Sequence, residues 1–252
     1  MLNFTQYFRK VIGVMKFELG QELNTFTIIG WCPRTYQLGV CLATYSLAVG
    51  GYCPSIKTHV GALSTQAFAN PQLGPVAMRL LEMGFSPEKV LRELEGHDSH
   101  IEYRQVGIVD RNGVAACKTG NLAPSWAGHI VGEGFVAMGN RLAGEQVIAA
   151  MADSFTNTRE QELQERLVSA VEAGRDAGGQ PQGQRSAALI LHGREDYPLM
   201  DLRVDSHDTP EEELRRLFEE YIPYVPYYIQ RHYEPWAILP QDEFKRKLEE
   251  QG

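Results

Sequence analysis

The chain has 252 residues, 43% of them hydrophobic, with 24 Lys and Arg against 32 Asp and Glu for a net charge of −8. That balance, without any Lys/Arg-rich block, argues against a nucleic-acid or anionic-membrane partner. No run approaches the roughly 20 apolar residues that a spanning helix needs, and the mildest stretch, 38–51, is broken by Thr44, Ser46 and glycines. One globular, cytoplasmic chain is predicted, with enough apolar residues for a sizeable core.

Residues 1–24 read as an extension without an export signal, because the apolar run 11–15 is short and Lys16 and Glu18 follow it at once. Cys32, Cys41, Cys53 and Cys117 form no C-x-x-C pair, so free and mostly buried thiols are expected. The β-branched and aromatic run 25–30 (TFTIIG) and the run 37–48 (QLGVCLATYSLA) predict a hairpin across the turn 33–36. A third strand is expected over 60–69, then a helix over 75–83 that Gly84 ends. Ser86 before Pro87 caps a second helix reaching to about Gly96.

Strands 104–110 and 114–119 face each other across Asn112-Gly113, a pair suited to the positive φ angles of a tight turn. A strand over 134–139 leads into helices over 144–155 and 159–173. The Gly/Gln-rich segment 174–184 reads as a loop, followed by strands 186–192 and 199–204 and an acid-led helix over 210–221. The tail 222–252, with Tyr224, Tyr227, Tyr228, Tyr233 and Trp236 among prolines, reads as neither linker nor regular element, and is expected to wrap the domain or a partner subunit of a homo-oligomer.

The segments TFTIIG, LGVCLATYSLAVGG, GALSTQAFANPQLGP, RQVGIVDRNGVAACKTG, SWAGHIVGEGFVAMGN, QRSAALIL and DLRVDSH resemble a bacterial family catalogued as domain of unknown function 1028, over residues 25 to about 220. The opening Thr and the Gly-Val-x-Leu-Ala-x-x-Ser-x-Ala-x-Gly strand are similar to proteasome-type N-terminal nucleophile (Ntn) hydrolases. The resemblance implies an α+β fold, a four-layer αββα sandwich of two antiparallel sheets flanked by helices. It also implies hydrolysis of an amide-type C–N bond in a small metabolite or peptide.

In such an enzyme the first residue of the mature chain supplies a hydroxyl that attacks a carbonyl and a free α-amine that takes the proton. The α-amine, with pKa near neutrality, suits that role. Thr25 stands in the matching place, yet 24 residues precede it. Self-cleavage at Asn24-Thr25, removal by another protease, and an extension that leaves the protein inactive or differently active are all open; so is Thr25 as an ordinary strand residue. The resemblance puts Lys57 where a lysine would lower the nucleophile's proton affinity. Ser46 shares a strand face with Thr44 and could orient the nucleophile. Gln66, Asn70 and Asn140 are carboxamide candidates for holding an oxyanion or substrate, and Arg104 for a substrate carboxylate or a structural ion pair.

Asp201, Arg203, Asp205 and His207 alternate along one expected strand and so share a face. An internal ion-pair ladder, a substrate site and a metal-bound water at Asp205 and His207 are alternatives there, although the other histidines show no ligand spacing, and neither metal nor cofactor enters the main reading. A non-catalytic binding or assembly protein on the same fold is the rival from another class.

Overall fold

The computed structural model describes residues 21–251, so most of the expected 1–24 extension lies outside the described residues. The chain folds into an α+β sandwich of four layers, two antiparallel sheets packed face to face with helices on both outer faces.

The six-stranded sheet has the order β11-β10-β3-β2-β9-β8. Its strands are β2 (Thr25–Trp31), β3 (Leu38–Thr44), β8 (Gly128–Gly132), β9 (Phe135–Gly139), β10 (Ser186–His192) and β11 (Pro198–Val204). The β2–β3 hairpin pairs Thr25 with Thr44 and Trp31 with Leu38. The other sheet runs β1-β5-β6-β7, with β1 (Gln21–Leu23), β5 (Gly61–Ala69), β6 (Arg104–Asp110) and β7 (Ala115–Thr119). A short strand, β4 (Pro54–Lys57), shares the outer edge of β5 with β1: β4 pairs residues 61–64 and β1 pairs residues 67–69. The chain thus passes from one sheet to the other at Asn24, since β1 belongs to the first and β2 to the second.

Strand alternation sorts the side chains into layers. Ile29, Leu38, Val40, Leu42, Val136 and Met138 fill the space between the sheets. Phe26, Ile28, Cys41 and Leu189 point the other way, onto α3 (Glu145–Asn157), α4 (Leu163–Asp176) and α5 (Pro210–Tyr221). Leu63 and Ile108 meet α1 (Leu73–Glu82) and α2 (Pro87–His97) on the opposite side. The Ser86 hydroxyl accepts from the Lys89 N–H and caps α2, with Pro87 at the first helical position. Gly107 sits where the sheets come closest: a Cβ there would meet Met138 Sδ at 2.9 Å. Gly113 takes φ +78° in the β6–β7 turn, against the Trp31 ring.

Four expectations are corrected. The second strand stops at Thr44, because Ala48 adopts a left-handed φ of 54° and a 3-10 turn follows over Val49–Gly51. The 174–184 loop starts later, α4 running on to Asp176. Strands β4 and β8 form where none was expected. The aromatic tail is regular after all, forming α6 (Tyr224–Tyr233) and α7 (Gln241–Gln251). Pro226 is accommodated because it falls in the first turn of α6, where no N–H bond is required of it. Among the described residues no helix is long and apolar enough to cross a membrane.

Candidate active site

One end of the layer between the sheets is polar. Thr25 and Thr27, alternate residues at the head of β2, face inward across from Gln66 on β5 and Gln105 on β6, which pair with each other in register. All four are fully buried, as is Asn140 just after β9. Buried polar groups at this density persist only when bonded to one another. The Thr27 hydroxyl donates to Gln66 Oε1 at 2.6 Å, and Gln66 Nε2 donates to Gln105 Oε1 at 2.8 Å. Gln105 Nε2 in turn reaches the Thr119 hydroxyl at 2.8 Å and the carbonyls of Gly128 and Gly139 at 3.0 Å each. The Thr119 hydroxyl also contacts His129 Nδ1 at 2.8 Å, which carries the network to the surface on β8.

Thr25 is the focus of this network. Its carbonyl accepts from the Asn140 backbone N–H and from Gln66 Nε2, both at 3.0 Å, with Asn140 Nδ2 at 3.5 Å. Its hydroxyl donates to the Leu23 carbonyl at 2.9 Å. The preceding carbonyl, that of Asn24, accepts a short hydrogen bond from the Thr44 hydroxyl, whose own lone pair takes the Ser46 N–H. Residues 22–24 are clamped: the Ser46 hydroxyl donates to the Glu22 carbonyl, and Arg141 and Asn24 Nδ2 hold the Glu22 carboxylate. The side-chain oxygens of Asn24 and Asn140 are buried without a partner, acceptor positions that remain free beside Thr25.

The thiol of Cys53 lies against the Thr25 hydroxyl, and burial pushes it up to about 12, so it stays a neutral thiol. Among the described residues no imidazole, carboxylate or ammonium hydrogen-bonds to Thr25. The site therefore offers hydroxyl and carboxamide donors for a developing negative charge, but no side-chain base.

Of the candidates from sequence, Thr25, Ser46, Gln66 and Asn140 come together here. Lys57 does not. It pairs with Gly61, five residues along β5 from Gln66 or about 17 Å at strand rise, and its half-exposed ammonium bonds to Glu82 of α1. Asn70 and Arg104 meet at Asp98, which receives Asn70 Nδ2 at 2.9 Å and Arg104 Nε at 3.1 Å. Arg104 is adjacent to Gln105 on β6 and so points to the opposite face, where the pKa of Asp98 is lowered: against its burial, hydrogen bonds from Asn70, the His100 N–H and Arg104 favour the carboxylate. The structural ion pair is what forms there.

The charged strand is only half as expected. Asp201 and Arg203 do share one face of β11, the one turned away from the helices beside Ile190 and Ala188 of β10, joined at 2.6 and 2.9 Å, with the arginine stem over Gly50. β11 ends at Val204, however, and His207 Nδ1 accepts the Thr209 N–H at the start of α5 instead of extending the ladder. No group of three or more His, Cys, Asp or Glu is placed to hold a metal ion among the described residues. Sequence reasoning passed over Thr27, Thr119, His129 and Gln180, whose carboxamide joins the Tyr45 N–H to the Asn140 carbonyl. Their link to Thr25 depends on register between two sheets, which no local pattern records.

A family model described as a family of unknown function, DUF1028, matches residues 25–214. Among solved structures, protein SPO2555 from Silicibacter pomeroyi, of the same family model, is 30% identical with a TM-score of 0.74, covering 79% of this chain and 86% of that one. Anbu, an ancestral beta-subunit from Yersinia bercovieri, is 11% identical with a TM-score of 0.39, covering 85% of this chain and 98% of that one. No curated protein matches significantly. The matched region starts at Thr25 and stops inside α5, so α6 and α7 lie beyond it.

Proposed function

The chain belongs to the DUF1028 family, and we propose that it is an Ntn-type amide hydrolase whose nucleophile is Thr25 once Thr25 begins the chain. The observation that carries the reading is the set of partners around Thr25: hydroxyls, carboxamides and a neutral thiol, with no side-chain base among the described residues. The α-amine that a cut before residue 25 would create is then the nearby destination for the proton of Oγ1.

In the proposed reaction Thr25 Oγ1 attacks the substrate carbonyl carbon and its proton passes to the α-amine. The C–N bond breaks, the leaving amine takes that proton, and water hydrolyses the ester left on Thr25. Asn140 and Gln66 fix the Thr25 backbone through its carbonyl. The Thr44 hydroxyl, already bonded to the Asn24 carbonyl, is suited to stabilise negative charge on that oxygen if the same threonine cuts its own preceding bond. The substrate class is a small metabolite or peptide with an amide-type bond.

Intact-mass spectrometry of the purified full-length protein tests this. A species beginning at Thr25 is expected, absent in Thr25→Ala. Activity in a preparation that carries only the uncut chain overturns the reading; a cut that persists in Thr25→Ala assigns the cleavage to another protease. Self-association of the chain belongs to the same proposal, and a purely monomeric mass by light scattering removes it.

A further inference from the structure

A second concave site lies at the other end of the six-stranded sheet. Thr25, Thr44 and Ser186 sit at one level of β2, β3 and β10, and Trp31, Leu38 and His192 at the opposite level. Beyond the latter, a cavity of about 360 Å³ opens between the segment leading into β11 and the junction of α5 with α6. Tyr197, Tyr221, Tyr228 and Tyr233 line it together with Glu195 and Arg194. Three of the four tyrosines come from residues past 214, outside the family match, so this wall is an addition to the shared domain.

The rings are held in place by other rings rather than by collapse into the cavity. Tyr224 stacks on Tyr228 with centroids 5.8 Å apart, and Tyr227 meets Tyr228 edge-on at 5.5 Å. Tyr227 is itself stacked on Phe244 of α7 at 4.2 Å, and its hydroxyl donates to the Leu239 carbonyl at 3.0 Å. His232 packs against Tyr197 at 5.6 Å and Tyr233 at 5.1 Å. Tyr197, Tyr228 and Tyr233 each keep more than a third of their surface exposed. The Tyr233 hydroxyl donates to the Glu195 carboxylate and orients it.

Four electron-rich ring systems around one oriented carboxylate attract positive charge. An anion would meet Glu195, and a purely apolar ligand would desolvate it without compensation. Arg194 approaches the same carboxylate at 3.8 Å, but its side chain is 86% exposed and water screens the pair. A primary ammonium needs three acceptors, whereas a methylated ammonium needs only ring faces and a counter-charge. We propose that this cavity binds a small organic cation of the quaternary ammonium type, its charge set against the tyrosine faces and the Glu195 carboxylate. The site is independent of Thr25.

Isothermal titration of choline into the full-length protein tests it, with 3,3-dimethylbutan-1-ol as the neutral molecule of the same shape. Saturable binding of choline, none of the alcohol, and about a tenfold loss of affinity in Tyr228→Leu and in Glu195→Gln are expected. Thr25→Ala should bind as the parent does. No saturable choline binding, equal binding of the alcohol, or unchanged affinity in Glu195→Gln overturns the proposal. Glu195→Gln retains side-chain volume and an acceptor for Tyr233, so the test stands even where Tyr228→Leu loosens the aromatic cluster.

Discussion

The two ends of the layer between the sheets are built from the same strands but in different materials. Toward Trp31 the inward residues include Ile29, Leu38, Val40, Val136 and Ile190; toward Thr25, beside Leu42 and Met138, they include Thr25, Thr27, Gln66, Gln105 and Asn140. Burying one large aliphatic side chain contributes about 1.5–3 kcal/mol, while a satisfied buried hydrogen bond contributes about 1. Stability alone would therefore favour aliphatic residues throughout. The carboxamide end gives up part of that stabilisation to keep donors fixed around one backbone position, which is what a site that handles developing charge requires.

The sharpest way to break this contrast is in the apolar end. Leu38→Ala, at a fully packed position, should lower the unfolding free energy by about 2–5 kcal/mol in urea melts while leaving processing at Thr25 unaltered. Gln105→Leu attacks the polar end: it removes a partner from Gln66 Nε2, Asn140 Nδ2, the Thr119 hydroxyl and two glycine carbonyls, should cost about 1–3 kcal/mol, and should abolish the mass species that begins at Thr25. A stable Gln105→Leu protein that still processes would erase the functional side of the contrast.

A third test uses a buried polar group outside the network. Burial raises the Glu211 carboxyl from its ordinary 4.5 to about 6, so the folded protein must ionise it at neutral pH against that preference. The stabilisation from the protonated form is complete below about pH 4.5 and is lost as pH rises through 6. Glu211→Gln should accordingly stabilise the protein by up to about 2 kcal/mol at pH 7, with the gain vanishing below about pH 4.5 in melts across that range. Smallest is Lys57→Ala, which removes an exposed ion pair with Glu82: a stability change under about 1 kcal/mol and normal processing are expected, and lost processing would return Lys57 to the site.

Much of the sandwich is legible in the sequence because its strands are β-branched runs and its helices carry apolar stripes, one of them with an explicit cap. Residues 186–192 and 210–221 form the expected elements with the expected bounds, and Ser86-Pro87 marks the start of α2. β8 escapes notice because two of its five residues are glycines and most of the strand is exposed, leaving no alternation to read. The tail misleads because Pro223 and Pro226 suggest irregular chain, whereas a proline in the first helical turn is compatible with α6. Thr25, Gln66 and Asn140 are recognisable as candidates one at a time. Gln105 and Thr27 join them only when two sheets close on each other, a relation between residues tens of positions apart.

The crossing of the chain between sheets at Asn24 has a mechanical consequence. β1 is a ribbon of only three residue pairs, held by the contacts of residues 22–24 with Ser46, Thr44 and Arg141 and by its covalent continuation into β2. Hydrolysis of that one link would let the ribbon leave and bare the rim of β5 over Ala67 to Ala69, beside the newly released amine. An uncovered strand rim is a template for an incoming extended chain, so in the proposed reaction a single scission would arm Thr25 and unlatch the slot next to it.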